Sequence, residues 1–445
     1  MFSPQYRHHY KKTLLLAYPV CLSNMGHIMV GIVDTAMVGQ LGTVEQAGVA
    51  LANSLFYLIM VFGMGISYGV TPLAASADGA KDTNMLRQLM KNSLAVNMAA
   101  GVLLFLLLIA LAPTLSMFGQ DKKVVETAIP FLDVIALSFI PLSLFFATKQ
   151  FTEGLSLTKM AMIISIGGNL INIFLNYVLI FGRWGFPELG VMGSAWATFY
   201  SRVIMAGGMF IYLRYGKEFK EFWKEKISLS LSLSKKILDI GIPSGMQWLF
   251  EVGAFCVAVV MAGWIGPREQ AAHQIAVSLA AFTFMIASGI AAASSVRVGN
   301  YQGLNDTKNM RQAGFAALFM VFGFMIFTAL FFILLRNYLP LFFNKEAEVV
   351  SIAASLLLIA GAFQLWDGTQ AVALGVLRGI KDVKFPTIVT MIAYWVIGLP
   401  ACYFFAFILH WGVQGIWYGL TLGLFIVSVM LIPRFNKISK TTTPQ

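Results

Sequence analysis

Apolar residues fill this chain in long stretches broken by short polar segments. The stretches lie near residues 14–38, 47–72, 93–116, 127–148, 161–181, 193–213, 237–263, 271–296, 314–335, 349–374, 386–409 and 413–433. Each is long enough to cross about 30 Å of hydrocarbon as a helix. None shows the ten-residue apolar and polar alternation of a membrane barrel strand. Backbone groups in lipid need partners within their own segment, so continuous apolar runs of this length predict helices. The pattern therefore predicts an all-α integral membrane protein of about twelve transmembrane helices.

The pattern also repeats. Shifting the sequence by 224 residues aligns Lys11 through Gln88 with Lys235 through Gln312 without a gap. The matches include polar and loop residues: Gly39, Gly42, Glu45, Gln46, Asp82, Thr83 and Arg87 recur as Gly263, Gly266, Glu269, Gln270, Asp306, Thr307 and Arg311. Apolar composition alone does not produce such matches, so the chain is read as two related halves. Six spans separate the copies, and an even number makes the halves parallel in the membrane, two pseudo-symmetric six-helix lobes able to rock about a central cavity. The expected division is a lobe over 1–213, a linker over 214–236 and a second lobe over 237–445. Within the linker, Phe219, Phe222 and Trp223 fall at helical spacing among Lys217, Lys220 and Lys224, the pattern of a helix lying in the membrane interface. Pro19 and Pro243 are repeat counterparts in the leading span of each half. They predict kinks that serve either as hinges or as plain packing features.

Charge then orients the spans. With both termini in the cytoplasm, twenty-four Lys and Arg fall on that side and six on the other: Lys122, Lys123, Arg183, Arg268, Arg336 and Lys345. Basic residues near helix ends stay cytoplasmic, so both termini are expected inside a bacterial inner membrane. The polar opening MFSPQYRHHYKK predicts no cleavable signal, because the first apolar run is a full span. The net charge of +11 is accounted for by loops against anionic headgroups, and no nucleic-acid partner is needed. Composition agrees, at 58% hydrophobic and 11% charged residues. Cys21, Cys256 and Cys402 fall in separate spans, which predicts neither a disulfide framework nor a zinc site.

Ionisable residues inside spans carry the candidate chemistry, since a central carboxylate costs about 2.5–3.5 kcal/mol on insertion scales. Asp34, Glu251 and Asp367 are of this kind. Glu251 and Phe255 are one helical turn apart, as are Phe363 and Asp367, so each acid shares a face with an aromatic ring. Gln364 and Gln370 flank Asp367. Acids, amides and ring faces together suit a small cation or proton and an organic cation, although interhelical hydrogen bonding is the competing structural reading. In the first half, Asn169, Asn172 and Asn176 form a stripe on the fifth span, and His27 and Asp34 lie two turns apart on the first. His27 is the repeat counterpart of Glu251. Asparagine stripes also glue helices together, so both roles stay open for Asn172 and Asn176.

Other motifs do not support enzyme chemistry. Gly65, Ser67 and Gly69 spell a nucleophile elbow, but they lie inside an apolar span where small residues serve close packing. Walker, dinucleotide and metalloprotease signatures are missing from the sequence, so no catalytic residues, cofactor or ATP use is predicted. His273 is read either as a substrate contact or as a core histidine. Arg202 is the one basic residue in the middle of a span.

Taken together, VDTAMVGQLG (33–42), FTEGLSLTKMAM (151–162), NLINIFLN (169–176), PELG (187–190), FEVGAF (250–255), AAHQIA (271–276), RVGNYQG (297–303), QLWDG (364–368) and LRGIKD (377–382) resemble the multidrug and toxic compound extrusion transporters, in their NorM-like branch. The resemblance covers nearly the whole chain. It implies export of small organic cations and drugs in exchange for Na⁺ or H⁺, with Glu251 and Asp367 as the coupling-cation acids and Phe255 as a ring beside them. It further implies Asp34, Asn172 and Asn176 as a polar site in the first lobe. Phe363 stands where relatives place a tyrosine, which removes one oxygen from the ion site. The chain is expected to work as a monomer in the bilayer. A flippase for lipid-linked saccharides is the alternative of similar architecture, but its anionic cargo calls for several buried basic groups, and the buried groups here are mostly acids.

Overall fold

The computed structural model describes residues 4–119, 121–223 and 229–441. Among these residues the secondary structure is helical throughout, with no strand. Twelve long helical segments follow the apolar stretches and extend several residues beyond them at either end. They are α1 (Pro4–Gly39), α2 (Thr43–Gly79), α3 (Thr83–Leu111), α4 (Lys122–Leu137 and Phe139–Gly154), α5 (Thr158–Phe181), α6 (Val191–Tyr215), α7 (Leu231–Ile265), α8 (Pro267–Gly303), α9 (Thr307–Leu335), α10 (Ala347–Gly379), α11 (Lys384–Ile408) and α12 (Gly412–Thr441). Ten are long and apolar enough to cross a membrane, and the two halves of α4, bent by 41°, make an eleventh. The twelfth is α6, which carries Arg202, serines and glycines.

Local sequence explains where several helices start. Asp82 and Asp306, repeat counterparts, cap α3 and α9: their carboxylates accept from the Met85 and Asn309 backbone N–H groups at 2.9 and 3.0 Å. Each cap satisfies an amide that the first helical turn leaves without a partner. Before α2 and α8, Gly42 and Gly266 are again counterparts, with glutamates three residues on whose carboxylates occupy the space a Cβ would need. The helix α11 departs from regular geometry, with π-helical segments at Ile392–Gly398 and Phe404–Ile408.

The chain forms two compact units, Leu22–Gly245 and Met1–Cys21 with Met246–Gln445. The leading ends of α1 and α7 are thus exchanged between units, and the exchange points are themselves 224 residues apart. Pro19 and Pro243 lie just before those points, inside continuous helices.

In the first unit α4 is central, packed against α2, α3 and α6, while α5 packs on α6. The start of α7 lies against α2, where Gly65 and Gly69 leave no room for a side chain beside the Gly245 and Gly241 backbone. Asn92 of α3 fastens it by accepting from Ser230 N and Ser234 Oγ at 2.9 and 3.1 Å. In the second unit α10 is central, packed on α8, α9 and α12. The start of α1 lies against α8: Gly289 faces Cys21, and Arg297 donates to His9 O and Thr13 Oγ1, both at 2.7 Å. The Gly65–Gly245 and Gly289–Cys21 contacts occupy identical positions in the repeat.

The linker departs from expectation. Lys217–Trp223 is a 3₁₀ turn, and Phe219 and Phe222 are buried. Phe219 meets Tyr212 edge-on at 5.3 Å and Phe151 at 6.5 Å, while Trp223 Nε1 donates to Leu213 O at 2.7 Å. The aromatic residues thus pack into protein rather than forming an interfacial helix, because α4 and α6 offer them an apolar socket. Lys224, also placed in that pattern, lies outside the described residues.

Candidate functional site

Two polar clusters are built inside the apolar units. In the second unit, Glu251 of α7 and Asp367 of α10 are both buried, at 7% and 5% exposure, and act on each other electrostatically. Phe255 and Phe363, each a turn from one acid, meet edge-to-face at 6.0 Å, and Phe363 meets Trp417 of α12 at 5.1 Å. The acids and rings singled out from helical spacing are therefore brought together. The two glutamines separate: Gln364 accepts from Thr283 Oγ1 of α8 at 2.6 Å, and Gln370 turns to α11.

That turn brings in a residue the sequence pattern did not mark. Tyr394 of α11 is buried, and its hydroxyl lies 2.5 Å from Gln370 Nε2 and 2.9 Å from Gln370 Oε1, accepting from the first and donating to the second. It acts electrostatically with both Glu251 and Asp367. A phenol oxygen therefore stands beside the acid pair although position 363 is phenylalanine. Two further bonds hold α11 against α7: Trp395 Nε1 donates to Phe250 O at 3.0 Å, and Gln247 Nε2 donates to Thr387 Oγ1 at 2.9 Å. The signal available in the sequence was a tyrosine next to a tryptophan in mid-span. The π-helical turn that aims it, of a kind frequent at functional sites, was not visible there.

In the first unit, Asn176 Nδ2 of α5 donates to Asp34 Oδ1 of α1 at 2.5 Å and to Asn172 Oδ1 at 3.0 Å. Asn172 Nδ2 donates in turn to Thr198 and Ser201 hydroxyls of α6, each at 3.4 Å. The asparagine stripe thus joins three helices and ends on a carboxylate. Asn176 Oδ1 is buried without a partner. His27 lies apart from Asp34, its Nε2 3.1 Å from Ser165 Oγ, which accepts from Ser23 Oγ at 2.8 Å. Asn169 is buried and makes no bond in this cluster.

His273 is a core histidine whose Nδ1 accepts from Trp417 Nε1 at 3.0 Å. Ser67 Oγ donates to Met64 O of its own helix at 2.6 Å, which leaves no elbow geometry. Lys149, counted from sequence with the cytoplasmic loops, is buried with Glu153 at 3.8 Å. Among the described residues, no three His, Cys, Asp or Glu side chains form a metal cluster.

A family model described as MatE matches the chain twice, over residues 19–178 and 243–404. This chain belongs to the MatE family. The two matches begin 224 residues apart, the offset found within the sequence, so each half is one copy of the family unit. Full-length relatives agree. The chain is 34% identical over 441 residues to a probable multidrug resistance protein NorM of Rhizobium meliloti (strain 1021), covering 97% of this chain and 94% of the relative. It is 33% identical over 435 residues to the probable NorM of Xylella fastidiosa (strain 9a5c), covering 97% and 92%. The eukaryotic MATE transporter AtDTX14 has the same fold, with a TM-score of 0.89 at 23% identity over 99% of both chains. An outward-facing multidrug resistance MATE transporter gives 0.90 at 20% identity over 98% and 97%. The MatE-family chain is accordingly a multi-pass membrane transporter and not an enzyme.

Proposed function

We propose that this MatE-family chain exports organic cations and drugs across the bacterial inner membrane by alternating access, in exchange for Na⁺ or H⁺. The observation that carries this reading is the buried set of Glu251, Asp367 and Tyr394 on three helices of one unit. Two carboxylates close together in an apolar setting need a cation, and either a proton or Na⁺ meets that need. The carboxylate pair, the Tyr394 hydroxyl and the Gln370 amide oxygen would hold the coupling ion. Phe255 and Phe363 would face organic cargo with their rings. Asp34, Asn172 and Asn176 form a second polar site in the first unit, for cargo or a proton.

Antiport follows if ion and cargo weaken each other's binding, an effect that linkage makes reciprocal. A membrane potential adds roughly 2.3 kcal/mol per charge per 100 mV to the driving force. The moving lobes are the sequence halves 1–213 and 237–445, joined by 214–236 on the cytoplasmic side, with both termini cytoplasmic and the protein acting as a monomer. Relatives named as multidrug resistance proteins support the export reading. The test is efflux of a cationic dye from inverted vesicles under separately imposed Na⁺ and pH gradients. Transport driven by at least one gradient supports the reading, and transport indifferent to both sinks it.

A further inference from the structure

Arg202 lies at the middle of α6, where a guanidinium is costly unless it has a task. It is held in place from two sides. Its Nη1 donates to Ser138 Oγ at 2.5 Å, and its guanidinium carbon lies 4.6 Å from the centroid of the Phe56 ring of α2. Ser138 is the residue at the break of α4, and its own hydroxyl donates to Ile135 O at 2.5 Å. The charge is thus fixed among α2, α4 and α6 rather than left to swing.

That fixed charge sits beside the first-unit site. Ser201, its chain neighbour, receives the Asn172 bond, and the line of bonds runs on through Asn176 to Asp34. Arg202 and Asp34 act on each other electrostatically, yet among the described residues no ion pair joins them. Asp34 therefore keeps its place for a cation, and the buried Asn176 Oδ1 beside it still lacks a donor. A cation arriving there meets the attraction of Asp34 and the repulsion of Arg202 together.

We propose that Arg202 is an affinity-limiting residue: its anchored charge weakens the hold of the Asp34 site on cationic cargo, so that cargo binds and still leaves. The proposal rests on the reading of Asp34, Asn172 and Asn176 as a cargo site. A carrier gains nothing from a site its cargo cannot quit, and a fixed like charge shortens residence without altering the shape of the site. The competing role is purely structural, in which Arg202 only serves the exposed carbonyls at the break of α4.

The experiment measures equilibrium binding of tetraphenylphosphonium to the purified full-length protein in detergent at one pH without Na⁺, alongside thermal stability. Arg202→Gln keeps a donor for Ser138 and loses the charge, while Arg202→Lys keeps the charge. The expected result is binding about tenfold tighter in Arg202→Gln and unchanged in Arg202→Lys. Turnover at saturating tetraphenylphosphonium should fall in Arg202→Gln because release slows. Should the glutamine variant not fold, Arg202→Met suits the apolar setting and carries the same expectation. Equal or weaker binding by the uncharged variant, with or without a loss of stability, overturns the inference alone. Absence of binding by the wild type overturns the cargo reading and this inference with it.

Discussion

Removing one oxygen atom from Tyr394 separates its role in the ion site from a role in packing. In Tyr394→Phe the ring stays in its buried place, and only the hydroxyl bonded to Gln370 disappears. The Gln370 amide is fully buried, so its oxygen and nitrogen are left without that partner. Leaving a buried polar group unsatisfied costs about 1–3 kcal/mol. If part of that interaction organises the acid pair for the coupling ion, the apparent ion affinity should fall about tenfold, equivalent to about 1.4 kcal/mol. Cargo binding should change little, because Phe255 and Phe363 are untouched. The assay is the initial rate of dye efflux from proteoliposomes as the imposed ion gradient is varied, with thermal stability measured on the same preparation. A half-saturating ion concentration within about twofold of wild type, in a folded variant, would refute the placement of Tyr394 in the ion site.

Three further outcomes are expected. Asp34→Asn should reduce resistance of cells to cationic dyes while protein level in the membrane stays constant; full resistance would demote Asp34 to a structural hydrogen-bond acceptor for Asn176. Gly65→Ala should destabilise by about 1–3 kcal/mol in thermal unfolding, because the added carbon meets the Gly245 and Ser244 backbone, which cannot turn aside. Gly289→Ala, at the equivalent position, should cost less, since its nearest neighbour is the Cys21 side chain; equal costs would contradict the exchange of helix ends described above. An impermeant thiol reagent applied to intact cells should label a cysteine placed at Lys122 and spare cysteines at Lys217 and Lys381, and labelling at Lys217 would overturn the orientation.

The twelve helices and the repeat were readable because both rest on periodicity that lipid enforces along the whole chain. Apolar runs had to be helices, and Asp82 with Asp306 or Gly42 with Gly266 kept the same local duties in both halves. Within the site, helical spacing sufficed wherever partners share a helix, as for Glu251 with Phe255 and Phe363 with Asp367. It failed where the partner comes from elsewhere. Tyr394 reaches the acids through a π-helical turn, and Gln364 looks toward Thr283 rather than toward Asp367. Phe219 and Phe222 carry an amphipathic spacing that fits a membrane surface, yet a protein socket between α4 and α6 takes them instead. The exchange of helix ends was hidden for the same reason: Pro19 and Pro243 mark its place, but a proline in a sequence does not say which unit the preceding turns join.

The central claim is that Glu251 and Asp367 couple an ion to export. It is tested most directly by efflux in proteoliposomes carrying an imposed Na⁺ or pH gradient, comparing wild type with the Glu251→Gln, Asp367→Asn double variant. Neutral amides can neither release a proton nor balance a metal charge, so gradient-driven efflux should be abolished while cargo still binds to the aromatic faces of Phe255 and Phe363. Undiminished gradient-driven efflux by the double variant would contradict the coupling role of this acid pair.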